Sequence, residues 1–284
     1  MDKMIDIVET LGQSTIQHGS YNNRIYVMNL SRNDFPQIIK KLGDLAQKNN
    51  YGKIFVKIPQ WAKHEFLDHG FVCEAIIPDF FNGKNDGFFL SKFLEKNQQK
   101  ESEKEKKERK KVLDVFYEKK KRKQKKPIAS DFDLRVISEQ DISSLTQLYK
   151  QVFKSYPFPI FSPDFIKETM KENVCYYGLF DDHRLIAAAS AEMNPDYEHV
   201  EMTDFATFPS YRGKNTAASL LYQMEEDMKK KDFKTCFTIA RSCSFGMNST
   251  FGKADYEYGG TLIHNTNISG RIESMNVLFK KIKD

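Results

Sequence analysis

The feature that most constrains the fold is a junction in the second half of the chain, where an alternating apolar run precedes YRGKNTAASLLYQ, residues 211–223. The run from Val200 to Phe208 has the period of a strand and ends at Pro209. After the basic loop, apolar residues recur at helical spacing: Ala217, Leu220, Leu221, Met224 and Met228. The pattern predicts a strand, a short basic loop and a helix N-terminus, whose unpaired N–H groups favour phosphate.

Length and composition limit the class of protein. At 284 residues the chain has room for two domains, by a rule of roughly 100–200 residues per domain. It has no apolar run of membrane-spanning length, and MDKMIDIVET lacks the pattern of a signal peptide, so we expect a cytoplasmic protein without membrane association. The four cysteines have no CxxC pair or histidine cluster and predict reduced thiols and no metal site; they are Cys73, Cys175, Cys236 and Cys243.

The positive charge is concentrated in one segment. From Lys96 to Lys126 there are 15 Lys and Arg against 6 Asp and Glu, whereas the rest has 29 against 33. The segment lacks Gly and Pro, and VLDVFY is nearly its only apolar stretch. It predicts an exposed, solvated helical linker, about 46 Å long at ~1.5 Å per residue. A nucleic-acid-binding arm is the alternative, but the acidic residues interleaved in its first half favour the connector.

The residues after the linker predict eleven elements. Their order is strand, helix, helix, three strands, helix, strand, helix and two strands. The first helix has a capping-box start, Ser138 to Asp141. We expect three parts, an N-terminal domain over 1–95, the linker over 96–127 and a C-terminal domain over 128–284.

This order, with the loop YRGKNTAA between the fourth strand and the third helix, resembles the GCN5-related N-acetyltransferases (GNAT). The resemblance implies an α/β (α+β) fold with a mixed central sheet and flanking helices, and acetyl coenzyme A as the co-substrate. It also implies that the loop holds the coenzyme pyrophosphate through Arg212, Gly213, Lys214, Asn215, Thr216 and Ala217. Asn215 stands where the family has a glycine, and asparagine tolerates left-handed backbone angles better than most residues.

Two carboxylates near the fourth strand are candidates for the general base that removes a proton from the attacking amine. The resemblance favours Glu201, and Asp204 is the competitor. Three residues apart, they point to opposite faces of a regular strand, unless a bulge intervenes. The resemblance also implies that N–H groups of Phe205, Ala206 and Thr207 polarise the thioester carbonyl.

A second departure concerns the general acid. Many family members have a tyrosine where this chain has Phe251, which cannot donate a proton. Tyr256, Tyr258 or a water then protonates the leaving thiolate, or it leaves unassisted because its thiol is intrinsically acidic. Asn248 matches a family position that contacts the coenzyme arm.

The N-terminal part predicts the order of the second half of the same fold. Between Arg24 and Phe93 it alternates strand, helix, strand, helix and two strands. We therefore expect a smaller half-GNAT-like α/β domain. Its first strand is followed by SRNDFP instead of a glycine loop, so it is not expected to bind the coenzyme.

Several segments together are similar to the bacterial and archaeal β-lysine Nε-acetyltransferases, among them SYPFPI, MTDFATFPSYRGKN and GGTLIHNTNISGRIESMNV. This resemblance implies acetylation of the ε-amine of β-lysine, which yields the compatible solute Nε-acetyl-β-lysine. Glu201 and Asp204 would face its ammonium groups, and Arg241 its carboxylate. The other candidate substrate residues are Tyr156, Phe158, Asn265 and Asn267.

Three hypotheses follow from the sequence. The first is an acetyltransferase for a small amine; the second acetylates proteins and uses the basic linker for targeting. The third is a non-catalytic module that binds acetyl coenzyme A and whose partner site is the linker. The first predicts no nucleic-acid partner, and the sequence leaves the oligomeric state open, a homodimer included.

Overall fold

The computed structural model of the chain describes residues 6–122 and 131–283. These residues form thirteen strands and seven helices. The strands are β1 (Ile7–Leu11), β2 (Ser14–Gly19), β3 (Arg24–Asn29), β4 (Lys53–Pro59), β5 (Val72–Phe81), β6 (Asn85–Phe93), β7 (Asp133–Val136), β8 (Val174–Asp181), β9 (Arg184–Asn194), β10 (His199–Thr207), β11 (Thr235–Arg241), β12 (Glu257–Ile268) and β13 (Arg271–Lys281). The helices are α1 (Ile38–Asn49), α2 (Lys63–Asp68), α3 (Glu103–Lys121), α4 (Ile142–Val152), α5 (Pro163–Lys171), α6 (Thr216–Lys230) and α7 (Phe245–Lys253). In the two described ranges, no helix has both the length and the apolar character to cross a membrane.

All the described strands belong to one mixed sheet. Their order is β1-β2-β3-β4-β6-β5-β12-β13-β11-β10-β9-β8-β7. The N-terminal strands meet the C-terminal ones where β5 pairs with β12, at Gly260 opposite Ala75. A side chain on Gly260 would collide with the backbone of β5, because a Cβ there would lie 2.1 Å from the Glu74 carbonyl oxygen. This close approach joins the two halves.

The pairing pattern of the C-terminal half is repeated in the N-terminal half. β10 runs parallel to β11 across α6, and β3 runs parallel to β4 across α1. In each half the second of these strands pairs with the last strand of a hairpin, β13 or β6. The predicted mixed sheet with a half-GNAT-like part in front is confirmed. The domain limits stay a prediction, and the limit at 127 lies outside the described residues.

The buried side chains form three clusters, of which two lie under helices. One packs β3, β4 and β6 against α1 and α2, and another packs the C-terminal strands against α4 to α7. The third is rich in aromatic residues and brings Tyr26 and Phe55 of the N-terminal half together with Phe237 and Met275 of the C-terminal half. Since β3 and β11 are far apart in the strand order, the sheet must curl so that these faces meet.

The basic segment differs from the predicted solvated connector. Its helix, α3, begins with a capping box between Ser102 and Glu105, which satisfies N–H groups at the helix start without help from the rest of the protein. However, Val112 and Phe116 are fully buried, and Phe116 joins the C-terminal core. α3 packs so closely on α7 that a Cβ on Gly252 would lie 2.6 Å from the carbonyl oxygen of Phe116. The VLDVFY stretch therefore docks the helix onto the protein, which corrects the prediction.

Candidate active site

A cavity opens where β10 separates from β11. The two strands pair only from His199 to Glu201, opposite Thr235 to Phe237. Beyond Glu201, a bulge between Thr203 and Ala206 shifts the register of β10 against β9, and Asp204 adopts a left-handed backbone with φ of 55°. Bulges re-aim side chains and often lie beside active sites.

The cavity has a volume of about 190 Å³, many times the space that one water molecule needs. Side chains from both halves of the chain line it. Glu201, Thr203, Asp204 and Phe205 come from the bulged part of β10, and Arg24, Tyr26, Phe55 and Lys57 come from β3 and β4. The first half of the chain therefore builds one wall of the cavity.

Three carboxylates face this cavity. The bulge brings Asp204 to the same side as Glu201, although a regular strand would have separated them. Glu192, on β9, lies directly opposite Glu201 in the register and also lines the cavity. Like charges at opposing positions repel, so this cluster has a strong preference for a cation.

Asp204 is held by two hydroxyl groups. Tyr156 donates to its Oδ1 at 2.5 Å, and Ser190 donates to its Oδ2 at 2.7 Å. Burial raises the pKa of Asp204, and the two hydroxyl donors oppose that rise by stabilising the carboxylate. Both oxygens are therefore occupied and the side chain is fixed in one orientation.

Glu201 is the freer carboxylate. Among the described residues, no side chain donates a hydrogen bond to it, and only the N–H of Ile239 stabilises its anion in this way. Burial in the protein wall raises the pKa of Glu201 to about 7, with Asp204 adding to the rise and Lys57 opposing it. A carboxyl group with a pKa near neutrality meets the requirement for a general base at physiological pH.

Glu192 and Lys57 complete this charged wall. Burial, followed by the charges of Glu201 and Asp204, raises the pKa of Glu192 well above its usual range. Burial lowers the pKa of Lys57, against the attraction of Glu201 and Glu192. Among the described residues that line the cavity, three carboxyl groups thus stand beside one lysine.

The predicted coenzyme loop has the backbone that a phosphate site needs. Asn215 is the residue before α6 and has φ of 59°, so the asparagine takes the left-handed conformation in place of glycine. Gly213 also has a positive φ, 82°. As first residues of a helix, Thr216 and Ala217 have N–H groups without an intrahelical partner.

The surroundings of this loop also fit a pyrophosphate. Arg212 and Lys214 are exposed and lie beside the helix N-terminus. Thr207, at the end of β10, hydrogen-bonds the Thr216 hydroxyl at 3.1 Å, which ties the bulged strand to the helix. The Ser219 hydroxyl is buried and has no partner among the described residues. Phe205 to Thr207 connect this loop to the cavity.

The tyrosines considered for the general acid lie elsewhere. Phe251 lines the cavity and packs between Phe205 and Tyr256, at ring-centroid distances of 5.6 and 4.8 Å. Tyr256 is fully buried behind it, and Tyr258 hydrogen-bonds Thr261 at 2.6 Å. Neither tyrosine is among the lining residues, whereas Tyr156 is.

Asn248 is engaged within the protein. Its Nδ2 donates to the carbonyl oxygens of Arg241 and Ser244, at 3.0 and 2.7 Å, and its Oδ1 accepts from Asn276 at 2.9 Å. The side chain is fully buried and does not line the cavity. Asn248 thus holds the start of α7 against the end of β11 and against β13.

The predicted substrate residues divide into two groups. Tyr156, Phe158, Arg241 and Asn265 line the cavity. Arg241 is already paired, because its Nε and Nη2 donate to Glu273 at 2.7 and 2.8 Å.

Asn267 lies outside the lining residues. Its Nδ2 donates to the carbonyl oxygen of Tyr21 at 2.8 Å, and its backbone N–H donates to Asn22 at 2.7 Å. It connects β12 to the turn before β3 and does not face the cavity.

Several residues that line the cavity were not predicted from the sequence, among them Arg24, Tyr26, Phe55, Lys57 and Glu192. A signal was present for Arg24 and Lys57, because these basic residues lie in largely apolar strands, RIYVMN and KIFVKIP. Glu192 has no comparable signal, since only the register of β9 against β10 places it.

The cavity and loop agree with comparisons to known proteins. The acetyltransferase (GNAT) family matches residues 142–246. The chain is 37% identical over 280 residues to the Beta-lysine N(6)-acetyltransferase of Methanococcus maripaludis, with 99% of each chain covered. It is 32% identical to the N-acetyltransferase YodP of Bacillus subtilis, covering 98% of this chain and all of that one. It is 31% identical to the Beta-lysine N(6)-acetyltransferase of Methanosarcina mazei, covering 86% and 96%.

Proposed function

Because the chain belongs to the GNAT family and is an acetyl-CoA-dependent N-acetyltransferase, we propose that its acceptor is β-lysine and its product Nε-acetyl-β-lysine. The observation that supports this acceptor is the extent of the similarity. Two relatives named for β-lysine match 99% and 86% of this chain, and the first of these matches includes the N-terminal strands that form a wall of the cavity.

The charge of the cavity suits a diamine. β-Lysine has two ammonium groups, and the wall presents Glu192, Glu201 and Asp204 beside a single lysine, Lys57. A bound ammonium group between Glu192 and Glu201 would relieve their repulsion. The aromatic rings of Tyr156 and Phe158 border the same space and exclude water from the methylene chain.

Side chains of the protein carry out the proton transfer. When bound, acetyl coenzyme A provides the acetyl group as a thioester. Glu201 takes a proton from the ε-ammonium, so that the neutral amine can attack, and later releases it to solvent. Asp204, fixed by Tyr156 and Ser190, orients the ammonium group. The N-terminus of α6 holds the coenzyme pyrophosphate.

Two tyrosines line the cavity, Tyr26 and Tyr156, and Tyr156 is the one that contacts the bulge of β10 through Asp204. The role of protonating the leaving thiolate would fall to Tyr156, because Phe251 has no proton to give and Tyr256 and Tyr258 do not line the cavity. The alternative is an unassisted departure of the thiolate.

The other two hypotheses gain less support. Both used the basic segment as a targeting or partner arm, whereas α3 docks on α7 through Val112 and Phe116. Nε-Acetyl-β-lysine is a neutral-side-chain zwitterion, and we propose that it acts as a compatible solute made in the cytoplasm.

The test is thiol release from acetyl coenzyme A with separate acceptors: β-lysine, α-lysine, spermidine and a lysine-containing peptide. We expect turnover with β-lysine to exceed that with the others. Glu201→Gln should abolish most of it, and Asp204→Asn should lower it less. Turnover of the peptide alone would refute the proposal.

A further inference from the structure

Arg24 lies in the cavity without a counterion. It is 4% exposed and its guanidinium lies over the rings of Tyr26 and Phe55, at 5.4 and 5.8 Å. One Nη donates to the carbonyl oxygen of Asn265 and, at 3.1 Å, to the hydroxyl of Thr266; the other reaches Gln17 at 3.4 Å. All three acceptors are uncharged.

Arg24 therefore makes no ion pair with a described residue, although the more distant charge of Asp6 acts on it through space. In the two described ranges, no carboxylate lies within ion-pair distance of Arg24, and its Nε has no hydrogen-bond partner. The contrast with other basic residues is clear, since Lys53 pairs with Glu74 at 3.0 Å and Arg241 pairs with Glu273. A buried charge with only neutral partners is costly, unless a ligand supplies the opposite charge.

The acids of the cavity do not fill this role. Lys57 is the base that the charges of Glu201 and Glu192 act on. Tyr26 lines the cavity beside Arg24, with its ring 5.4 Å from the guanidinium, whereas the three carboxylates lie on β9 and β10. The cavity thus has an acidic end on β9 and β10 and a basic end on β3.

A second orphan group lies at the basic end. Asn265 is 1% exposed, lines the cavity and accepts from Arg24 with its carbonyl oxygen. Its side-chain Oδ1 has no donor among the described residues. An unpaired donor on Arg24 and an unpaired acceptor on Asn265 are complementary to a neighbouring carboxylate and ammonium group.

We propose that Arg24 and Asn265 form the subsite for the amino-acid end of the acceptor, with Arg24 binding its carboxylate and Asn265 its adjacent ammonium group. This inference rests on the proposed function and deepens it. It assigns the N-terminal half a role in selecting amino acids over diamines that lack a carboxylate. The carboxylate of the acceptor is then bound by Arg24 and not by Arg241, the residue that the sequence suggested.

The experiment compares β-lysine with 1,4-diaminopentane, which has the same two amines but no carboxylate. The quantity measured is the ratio of the two kcat/KM values within each enzyme, because the fraction of active protein cancels in a ratio. Arg24→Met is the test variant and Arg241→Met is the matched control. Calorimetric binding of acetyl coenzyme A verifies that each variant is folded.

We expect the wild-type ratio to fall by roughly 30-fold or more in Arg24→Met, mainly through KM for β-lysine. In Arg241→Met the ratio should stay within about threefold of wild type, because Arg241 is paired with Glu273 and not with the acceptor. If Arg24→Met does not bind acetyl coenzyme A, Arg24→Lys is used as the test variant. Lysine lacks the planar pair of donors with which arginine binds both oxygens of a carboxylate, so the ratio should still fall several-fold.

Two results would overturn the inference while leaving the proposed function intact: an unchanged ratio in the Arg24 variants, or a collapse of the ratio only in Arg241→Met. If wild type acetylates neither amine, the proposed function fails and the inference fails with it.

Discussion

Replacing Lys57 with methionine removes the cation that lowers the pKa of Glu201. Lys57 is half-buried in the cavity wall with Glu201 and Glu192, where an opposite charge shifts a carboxyl pKa by about one unit or more. The pKa of Glu201 is about 7 in the wild type, so in Lys57→Met we expect it near ~8.

The shift has a definite sign in the pH profile. A general base works when deprotonated, so kcat/KM rises with pH through the pKa of Glu201. If the pKa of Glu201 rises by one unit, kcat/KM falls about tenfold at low pH, where little of the base is ionised. At pH values well above both the wild-type and the variant pKa, kcat/KM changes little.

The assay is kcat/KM for β-lysine at saturating acetyl coenzyme A over a range of pH, with Lys57→Arg as the control. Arginine keeps the charge, so its ascending limb should remain near that of wild type. A Lys57→Met profile that superimposes on wild type, or moves to lower pH, would refute the assignment of Glu201 as the base.

Three further predictions concern the loop, the linker helix and the fixed carboxylate. Asn215→Ala removes the polar side chain that lets asparagine adopt φ of 59°, a conformation that costs other residues with a Cβ roughly 1–2 kcal/mol, so calorimetry should show about tenfold weaker binding of acetyl coenzyme A, with Asn215→Gly near wild type. Phe116→Ala empties a fully buried site between α3 and α7 and should lower the free energy of unfolding in urea by about 3–5 kcal/mol, whereas Lys110→Ala, at an exposed position of the same helix, should cost below ~1 kcal/mol. Tyr156→Phe removes a donor to Asp204, so the pKa of Asp204 should rise and kcat/KM should fall roughly tenfold or more; unchanged kinetics would contradict that role.

Much of the fold was predictable because most strands and helices have a local spacing of apolar residues that is typical of their type. The eleven elements after the linker occur in the predicted order, and Ser138 and Asp141 form the predicted capping box. Helix α1 begins at Ile38, because a separate short turn at residues 32–34 and Pro36 precede it. Strands β1 and β2 were not predicted. β1 lies at the edge of the sheet and most of its residues are exposed, so it lacks a clear apolar alternation.

The candidate site was less predictable because tertiary contacts assemble it. The left-handed backbone at Asn215 follows from residue chemistry, and the structure has it. The position of Asp204 depends on a bulge that exists only against β9, and Glu192 enters the site through the same register. Arg24 reaches the cavity because β3 and β12 approach across the curled sheet, which connects residues more than 200 positions apart.

The most direct test of the central claim is NMR spectroscopy of the product that the wild-type enzyme forms from β-lysine and acetyl coenzyme A labelled in its acetyl carbonyl carbon. We expect a single product, in which the labelled carbonyl correlates with the methylene protons next to the ε-nitrogen. A correlation with the proton beside the β-nitrogen, or no acetylated β-lysine at all, would contradict it.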